Sequence, residues 1–230
     1  MAAGEGTRLR PLTERWAKPV LPIDGEPVIV TLLHDLAAAG VERFVVVTGH
    51  LAEQVEALVG DGAGYGVEVR FARQPGVLGS ADAIARGLDA GAEPPCLVTA
   101  ADTVYRRGDV REFWTQFAAR DLAGAIAVRR DPPPGPGKAA VRISGGGLVE
   151  RVVDDDPANP LGSAPLWALG PELVPFLAGL PGPPYEFAVA FQRAIDAGFR
   201  IAAIEIGSTR DLTRPVDLVE RNFPYLGGLT

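Results

Sequence analysis

The feature that most constrains this chain is a repeated alternation of short apolar strands with helices that are apolar along one face. A helix starting at Pro27 carries Ile29, Leu32, Leu33 and Leu36 at helical spacing up to Gly40, and Phe44-Val45-Val46-Val47 follows as a buried strand. Leu51, Val55, Leu58 and Val59 mark a second helix ended by Gly60, and Val67-Glu68-Val69-Arg70-Phe71 alternates as a half-buried strand does. The pattern continues through a helix capped by Ser80 that carries Ile84 and Leu88, and a strand at Cys96 to Ala100. A helix capped by Asp109 then carries Val110, Phe113, Trp114 and Phe117, and a strand runs from Leu122 to Val128. Such alternation predicts an α/β fold with a mostly parallel sheet, helices on both faces and ligands at the carboxyl ends of the strands. At 230 residues, with no low-complexity linker, the chain is expected to form one domain.

The start of the chain carries the chemistry. Ala2-Ala3-Gly4-Glu5-Gly6-Thr7-Arg8-Leu9-Arg10-Pro11-Leu12-Thr13 is followed by Lys18-Pro19-Val20-Leu21-Pro22-Ile23. Two glycines let a backbone converge several N–H groups on one anion, which is how a glycine-rich loop cradles phosphates, although a glycine pair alone is more often an ordinary turn. Thr7 adds a hydroxyl, and Arg8 and Lys18 add cationic donors for phosphoryl oxygens. The longer run, with a Lys-Pro pair behind it, resembles the signature G-x-G-T-R-L-x-P-L-T followed by K-P of the sugar-1-phosphate nucleotidyltransferases, also called nucleoside-diphosphate-sugar pyrophosphorylases.

That resemblance implies a Rossmann-like three-layer α/β/α fold with a mixed, mostly parallel sheet, its nucleotide-binding part at about 1–105 and its acceptor-binding part at about 106–230. It implies a loop of Ala3, Gly4, Glu5, Gly6 and Thr7 around a nucleoside triphosphate, and a base contacted by Gln74 and Gly79. It makes Arg8, Lys18 and Asp102 the catalytic groups and places Mg²⁺ on Asp102 and Asp211, with Glu205 as the alternative second carboxylate. From position alone, Asp102 equally suits a turn after the Cys96 to Ala100 strand. Glu186, in Tyr185-Glu186-Phe187, is similar to the family's sugar-binding Glu and equally suits the first turn of a helix that buries Phe187, Phe191, Ala194 and Ile195. Asp211-Leu212-Thr213-Arg214-Pro215-Val216-Asp217-Leu218 resembles the family's D-x-G-x-P-x-D-L with Thr213 in place of Gly, and Asp217 reads as a cap of the closing helix.

The acceptor side departs from the family. An extended proline-rich loop at Arg129 to Gly137 leads to a hairpin predicted at Ala139–Ile143 and Leu148–Val153, where the family ends in Glu-Lys-Pro and this chain has Asp155-Asp156-Pro157. A carboxylate there repels a phosphate. Asp154-Asp155-Asp156 reads as a solvated strand end, or alternatively as a metal-binding acidic motif. Ser163-Ala164-Pro165 replaces the family's Asn-Ala-Gly. The amino end departs too. The family feeds its glycine loop from an apolar strand, and Met1 stands within or just after that strand, so the expectation is a gap in the middle of the sheet and a looser loop. A start at an internal methionine, a shortened chain or another anchor for the loop would each account for it.

Composition bounds the partners. A net charge of −7 argues against a general nucleic-acid binder, no apolar run approaches the roughly 20 residues of a membrane span, and a lone Cys96 allows neither a disulfide framework nor a zinc spacing. A soluble, cytoplasmic protein is expected, with a homo-oligomer admitted. The expected activity is Mg-dependent transfer of a nucleoside monophosphate from a triphosphate to a sugar 1-phosphate, with release of pyrophosphate. The alternatives are the same chemistry on another phosphorylated acceptor and a silent nucleotide-binding or regulatory homologue. The sequence does not specify the base or the sugar.

Overall fold

The computed structural model describes residues 1–130, 140–156 and 158–223. After three short 3-10 turns at Thr7–Leu9, Leu12–Glu14 and Lys18–Val20, the elements run β1 (Pro22–Ile23), β2 (Glu26–Pro27), α1 (Val28–Ala38), β3 (Arg43–Thr48) and α2 (Ala52–Val59). They continue β4 (Glu68–Arg73), α3 (Ser80–Asp89), β5 (Cys96–Thr99), β6 (Thr103–Val104), α4 (Asp109–Ala118), β7 (Gly124–Arg129), β8 (Ala140–Ile143) and β9 (Val149–Asp154). The chain closes through β10 (Gly162–Leu169), α5 (Phe187–Asp196), β11 (Ile201–Glu205), β12 (Arg210–Asp211) and α6 (Pro215–Asn222).

The central sheet is mixed. β3 pairs with β4 in parallel, β7 with β11 in parallel, and β10 runs antiparallel to both β5 and β7. Strands β3, β4, β5, β7 and β11 therefore share one direction and β10 is reversed among them. The hairpin β8–β9 branches from β10 at Gly162, opposite Ala140. Alternate residues of the central strands face opposite layers, as a pleat requires. Ala125 and Ala127 of β7, with Leu166 and Ala168 of β10, pack beneath α1, α2 and α4, whereas Ile126, Val128, Trp167 and Leu169 pack beneath α3 and α5. The result is the expected α/β/α arrangement.

Where the family's first strand is expected, the chain supplies two residues. The Ala2 N–H donates to the Val47 carbonyl at 2.7 Å, the Met1 nitrogen to the Thr99 carbonyl at 2.8 Å, and the Ala101 N–H to the Met1 carbonyl at 2.8 Å. Met1 and Ala2 thus form the last rungs of a parallel ladder between β3 and β5. Upstream of them lies a cavity of about 430 Å³ walled by those two strands, by Leu32 and Leu36 of α1 and by Ile84 and Gly87 of α3. Val45 and Val46 of β3 and Leu97 and Val98 of β5 border this cavity.

Three local expectations are corrected. Asp109 does not cap α4; Gly108 holds that place with φ 92°, and the Asp109 carboxylate instead accepts from the Gly207 N–H. Ser80 opens α3, but its hydroxyl accepts from the Phe187 N–H and so serves the start of α5. Asp154 is not a solvated strand end. Its side chain is 4% exposed, held by the Arg142 guanidinium at 2.6 Å and the Asn159 amide at 2.8 Å. The cap reading of Asp217 holds, since its carboxylate accepts from the Thr213 and Arg214 N–H groups at 2.8 and 2.7 Å. Most of the proline-rich loop, from 131 onward, and Pro157 lie outside the described residues.

Candidate active site

The carboxyl ends of β3 and β5 open into a cleft of about 410 Å³. One wall is the glycine loop, which the Met1–Ala2 stub delivers onto the end of β3. Gly49, just past that strand, lets the loop come close, because a Cβ there would lie 2.7 Å from the Ala3 carbonyl oxygen. Gly6 takes φ 62° and turns the loop into the Thr7–Leu9 3-10 turn. Its carbonyl accepts from the Leu9 N–H at 2.8 Å and from the buried Thr13 hydroxyl at 2.9 Å. The Thr13 carbonyl in turn lies 2.7 Å from His50 Nε2. Gly4 differs from Gly6: a Cβ at Gly4 would meet nothing within 4 Å, so the loop leaves open space beside its own backbone, as a phosphate cradle needs.

Ala3, Gly4, Gly6, Thr7 and Arg8 line this cleft, and Arg8 makes no hydrogen bond or ion pair among the described residues. Glu5 does not line it; its carboxylate pairs with Arg10 at 3.0 Å on the outer side of the loop. Lys18, presented by the third 3-10 turn, reaches across to Asp102 at the end of β5. Nζ and Oδ2 are 2.5 Å apart, and the side chains are 13% and 29% exposed. Residues 84 positions apart therefore meet in one charged pair on the cleft floor.

The opposite wall is the segment after β4. Gln74 is buried, its backbone N–H bonded to the Thr48 carbonyl and its Nε2 to the Gly79 carbonyl and Asp82. Gly79, at φ 98°, runs so close to Tyr185 that a Cβ would sit 2.4 Å from the Tyr185 carbonyl oxygen. The Tyr185 N–H bonds to the Leu78 carbonyl and the Ala81 N–H to the Tyr185 carbonyl, which brings Glu186 onto the rim of the same cleft. Glu186 sits one residue before α5 rather than in its first turn, and its carboxylate accepts from the Ser80 hydroxyl at 2.9 Å. Gly49, Thr13, His50 and Ser80 support the site without having been singled out for it. The placement of Gly49 and His50 directly after a strand hinted at those two, and Thr13 closes the glycine-loop signature.

The carboxylates suit a divalent cation in part. Mg²⁺ is held by one or two carboxylates together with phosphate and water oxygens rather than by an all-protein cage. Asp102 stands in the cleft, and β12 pairs with β6 so that Asp211 lies opposite Thr103, one residue beyond Asp102. The Asp211 carboxylate takes the Thr213 hydroxyl at 3.3 Å and does not line the cleft, although Leu212 and Thr213 do. Among the described residues no three His, Cys, Asp or Glu side chains cluster, which is compatible with that mode of binding. Glu205, the alternative second carboxylate, faces away and pairs with Arg130 on the surface. On the acceptor side, Asp156 accepts from the Ala158 N–H, and neither it nor Ser163 lines the cleft. Among the described residues no helix is long and apolar enough to cross a membrane.

The chain is 28% identical over 231 residues to the low-salt glycan biosynthesis nucleotidyltransferase Agl11 of Haloferax volcanii, and 30% identical over 228 residues to a glucose-1-phosphate thymidylyltransferase of Streptomyces griseus. Each alignment covers 96% of this chain and 64% of the relative, so the chain spans a little under two thirds of their length. The fold is similar to that of a putative glucose-1-phosphate thymidylyltransferase from Bacillus anthracis, with a TM-score of 0.84 at 18% identity, covering 96% of this chain and 91% of the other. It is also similar to a UDP-glucose pyrophosphorylase complexed with UDP-glucose, with a TM-score of 0.81 at 21% identity, covering 99% and 97%. Residues 1–153, which carry the glycine loop, Lys18, Gln74, Gly79 and Asp102, match the nucleotidyl transferase family, and the chain is a member of it.

Proposed function

We propose that the chain transfers a nucleoside monophosphate from a nucleoside triphosphate to a sugar 1-phosphate, forming a nucleoside-diphosphate sugar and pyrophosphate. The observation that carries this reading is the convergence, in one cleft, of a glycine loop with room beside its backbone, the Lys18–Asp102 pair, Gln74 and Glu186. The names of the relatives favour a hexose 1-phosphate as acceptor and a thymidine or uridine triphosphate as donor.

The acceptor phosphate oxygen attacks the α-phosphorus, and pyrophosphate leaves in line. Little proton transfer is needed, so the protein's contribution is alignment and electrostatic relief. The loop N–H groups, Thr7 and Arg8 hold the triphosphate, Lys18 neutralises charge on it, and Glu186 orients sugar hydroxyls. Asp102 is the carboxylate best placed for Mg²⁺, with Asp211 beside it; when bound, the ion offsets phosphoryl charge and supports the leaving group. Because Lys18 pairs with Asp102, a cation held by Asp102 would share that carboxylate with the lysine.

The test is pyrophosphate release from each of UTP, dTTP, CTP, ATP and GTP with glucose 1-phosphate and MgCl₂, followed by a panel of other phosphorylated acceptors. Turnover with a sugar 1-phosphate is expected. Tight nucleotide binding without pyrophosphate release from any acceptor would replace this reading with that of a silent homologue.

A further inference from the structure

The amide of Gln74 is the polar group that the far wall offers to a base, and the structure fixes which of its atoms is offered. Gln74 is 7% exposed and lines the cleft. Its Nε2 donates at 2.9 Å to the Gly79 carbonyl and at 2.8 Å to Asp82 Oδ2, which uses both hydrogens of the amide. Oε1 takes no hydrogen bond among the described residues and is not sealed from solvent. A flipped amide would leave Nε2 without these partners and set Oε1 against a carboxylate and a carbonyl oxygen, so one orientation is imposed.

Asp82 imposes it. It stands in the first turn of α3, outside the cleft lining, and Arg86 one turn on grips it, with Nε 2.7 Å from Oδ2 and a terminal nitrogen 3.3 Å from Oδ1. Burial works against the charge on Asp82, but the donors from Arg86 and Gln74 outweigh it and hold its pKa below the ordinary aspartate value. The carboxylate thus stays an acceptor at neutral pH.

We propose that Asp82 is a positioning residue that locks the Gln74 amide with its oxygen toward the cleft, so that the site selects a base presenting a ring N–H. Uracil and thymine carry one at N3 and guanine one at N1; cytosine N3 and adenine N1 carry a lone pair there, so these bases reach the Gln74 oxygen only through an exocyclic amino group, in a shifted position. Asp82 touches no substrate and acts through Gln74. This inference rests on the nucleotide reading of the cleft.

The experiment measures binding of UTP and CTP by calorimetry, and kcat and KM where turnover is found, in the wild type and in Asp82→Ala. Ala removes the oxygen that accepts from Gln74 Nε2 and leaves the Gly79 carbonyl alone to orient the amide. The wild type should bind UTP at least tenfold more tightly than CTP. In Asp82→Ala the ratio should fall below about threefold, chiefly through weaker UTP binding or a higher KM, with kcat little changed. An unchanged ratio in a folded variant overturns the role of Asp82 while leaving nucleotide binding intact; failure of the wild type to bind any triphosphate overturns the nucleotide reading and this inference with it. A readout on the wild type guards against a misfolded variant. In ¹⁵N-labelled protein the Gln74 side-chain amide protons should exchange with solvent at least tenfold more slowly than those of a free glutamine, with and without UTP. Exchange at the free rate would refute the lock.

Discussion

Removing the Lys18 side chain isolates the central contact of the cleft. In Lys18→Ala the cation that sits 2.5 Å from Asp102 is lost. Two effects follow, and they can be measured separately. The first concerns stability. Breaking a fully buried pair costs about 3–5 kcal/mol and an exposed pair about 0–1 kcal/mol. With side chains 13% and 29% exposed this pair lies between those limits, and water reaches Asp102, so the loss should be about 1–2 kcal/mol. For a chain of this size that lowers Tm by roughly 2–8 °C. The second effect concerns turnover. Loss of one preorganised donor aimed at developing phosphoryl charge costs about 10²–10³-fold in rate. Circular-dichroism melts report the first effect, and pyrophosphate release at saturating and limiting triphosphate reports the second.

Because the two residues touch, their effects should not add. Asp102→Ala alone should lower kcat/KM as severely, and the double variant should be no worse than about tenfold below either single one. Lys18→Ala with kcat/KM within threefold of wild type would show that the lysine is only a structural counter-ion for Asp102. Loss of activity together with collapse of the fold would show that the stability estimate has misjudged solvent access to the pair.

Gly79→Ala should destabilise by about 1–3 kcal/mol and raise the KM for triphosphate, because φ is 98° and the new Cβ would lie 2.4 Å from the Tyr185 carbonyl oxygen; an unchanged Tm refutes this. Gly87→Ala should do the opposite. It lies within α3, its Cβ would meet Val47 at an ordinary 3.5 Å, and the helix gains about 1 kcal/mol, so Tm should rise by roughly 2–4 °C. At Asp217 burial opposes the charge, but the N–H groups of Arg214 and Thr213 and the Arg214 guanidinium prevail and hold the pKa below its ordinary 3.8. The stabilisation is therefore complete above the unfolded-state value and is lost as pH falls through the lowered folded one, so Asp217→Asn should reduce Tm at pH 7 and flatten its decline below pH 4. Parallel melting curves for the two proteins over pH 2–6 would contradict this.

The layers were legible because each rests on a local period. α1 begins within one residue of the expected start at Pro27, and β3, β4 and β5 match their apolar runs to within two residues. β10 was not legible as a strand at all: Ser163-Ala164-Pro165 reads as loop, and Pro165 lies inside Gly162–Leu169, where no alternating run marks a strand. The fate of Asp154 escaped as well. A run of three acids reads as solvated until β8 folds back and Arg142 and Asn159 close over the first of them.

In the site, what could be read was what a contiguous motif carries: the glycine loop, Lys18, Gln74 with Gly79, and Asp102 all border one cleft. What escaped was every contact made across the chain. Ser80 looks like a cap for its own helix and instead serves a helix 107 residues away, because Gly79 lets the chain pass against Tyr185. Asp82 looks like a first-turn acid suited to the helix dipole, and its second role appears only once Gln74 has been folded against it. The two misses share a cause. Segment 74–82 forms the far wall and is braced by α5, so the orientation of the Gln74 amide, the placement of Glu186 and the start of α5 are fixed together. A substitution at Ser80 should therefore disturb Glu186 and Gln74 at once, which neither motif, read alone, would suggest.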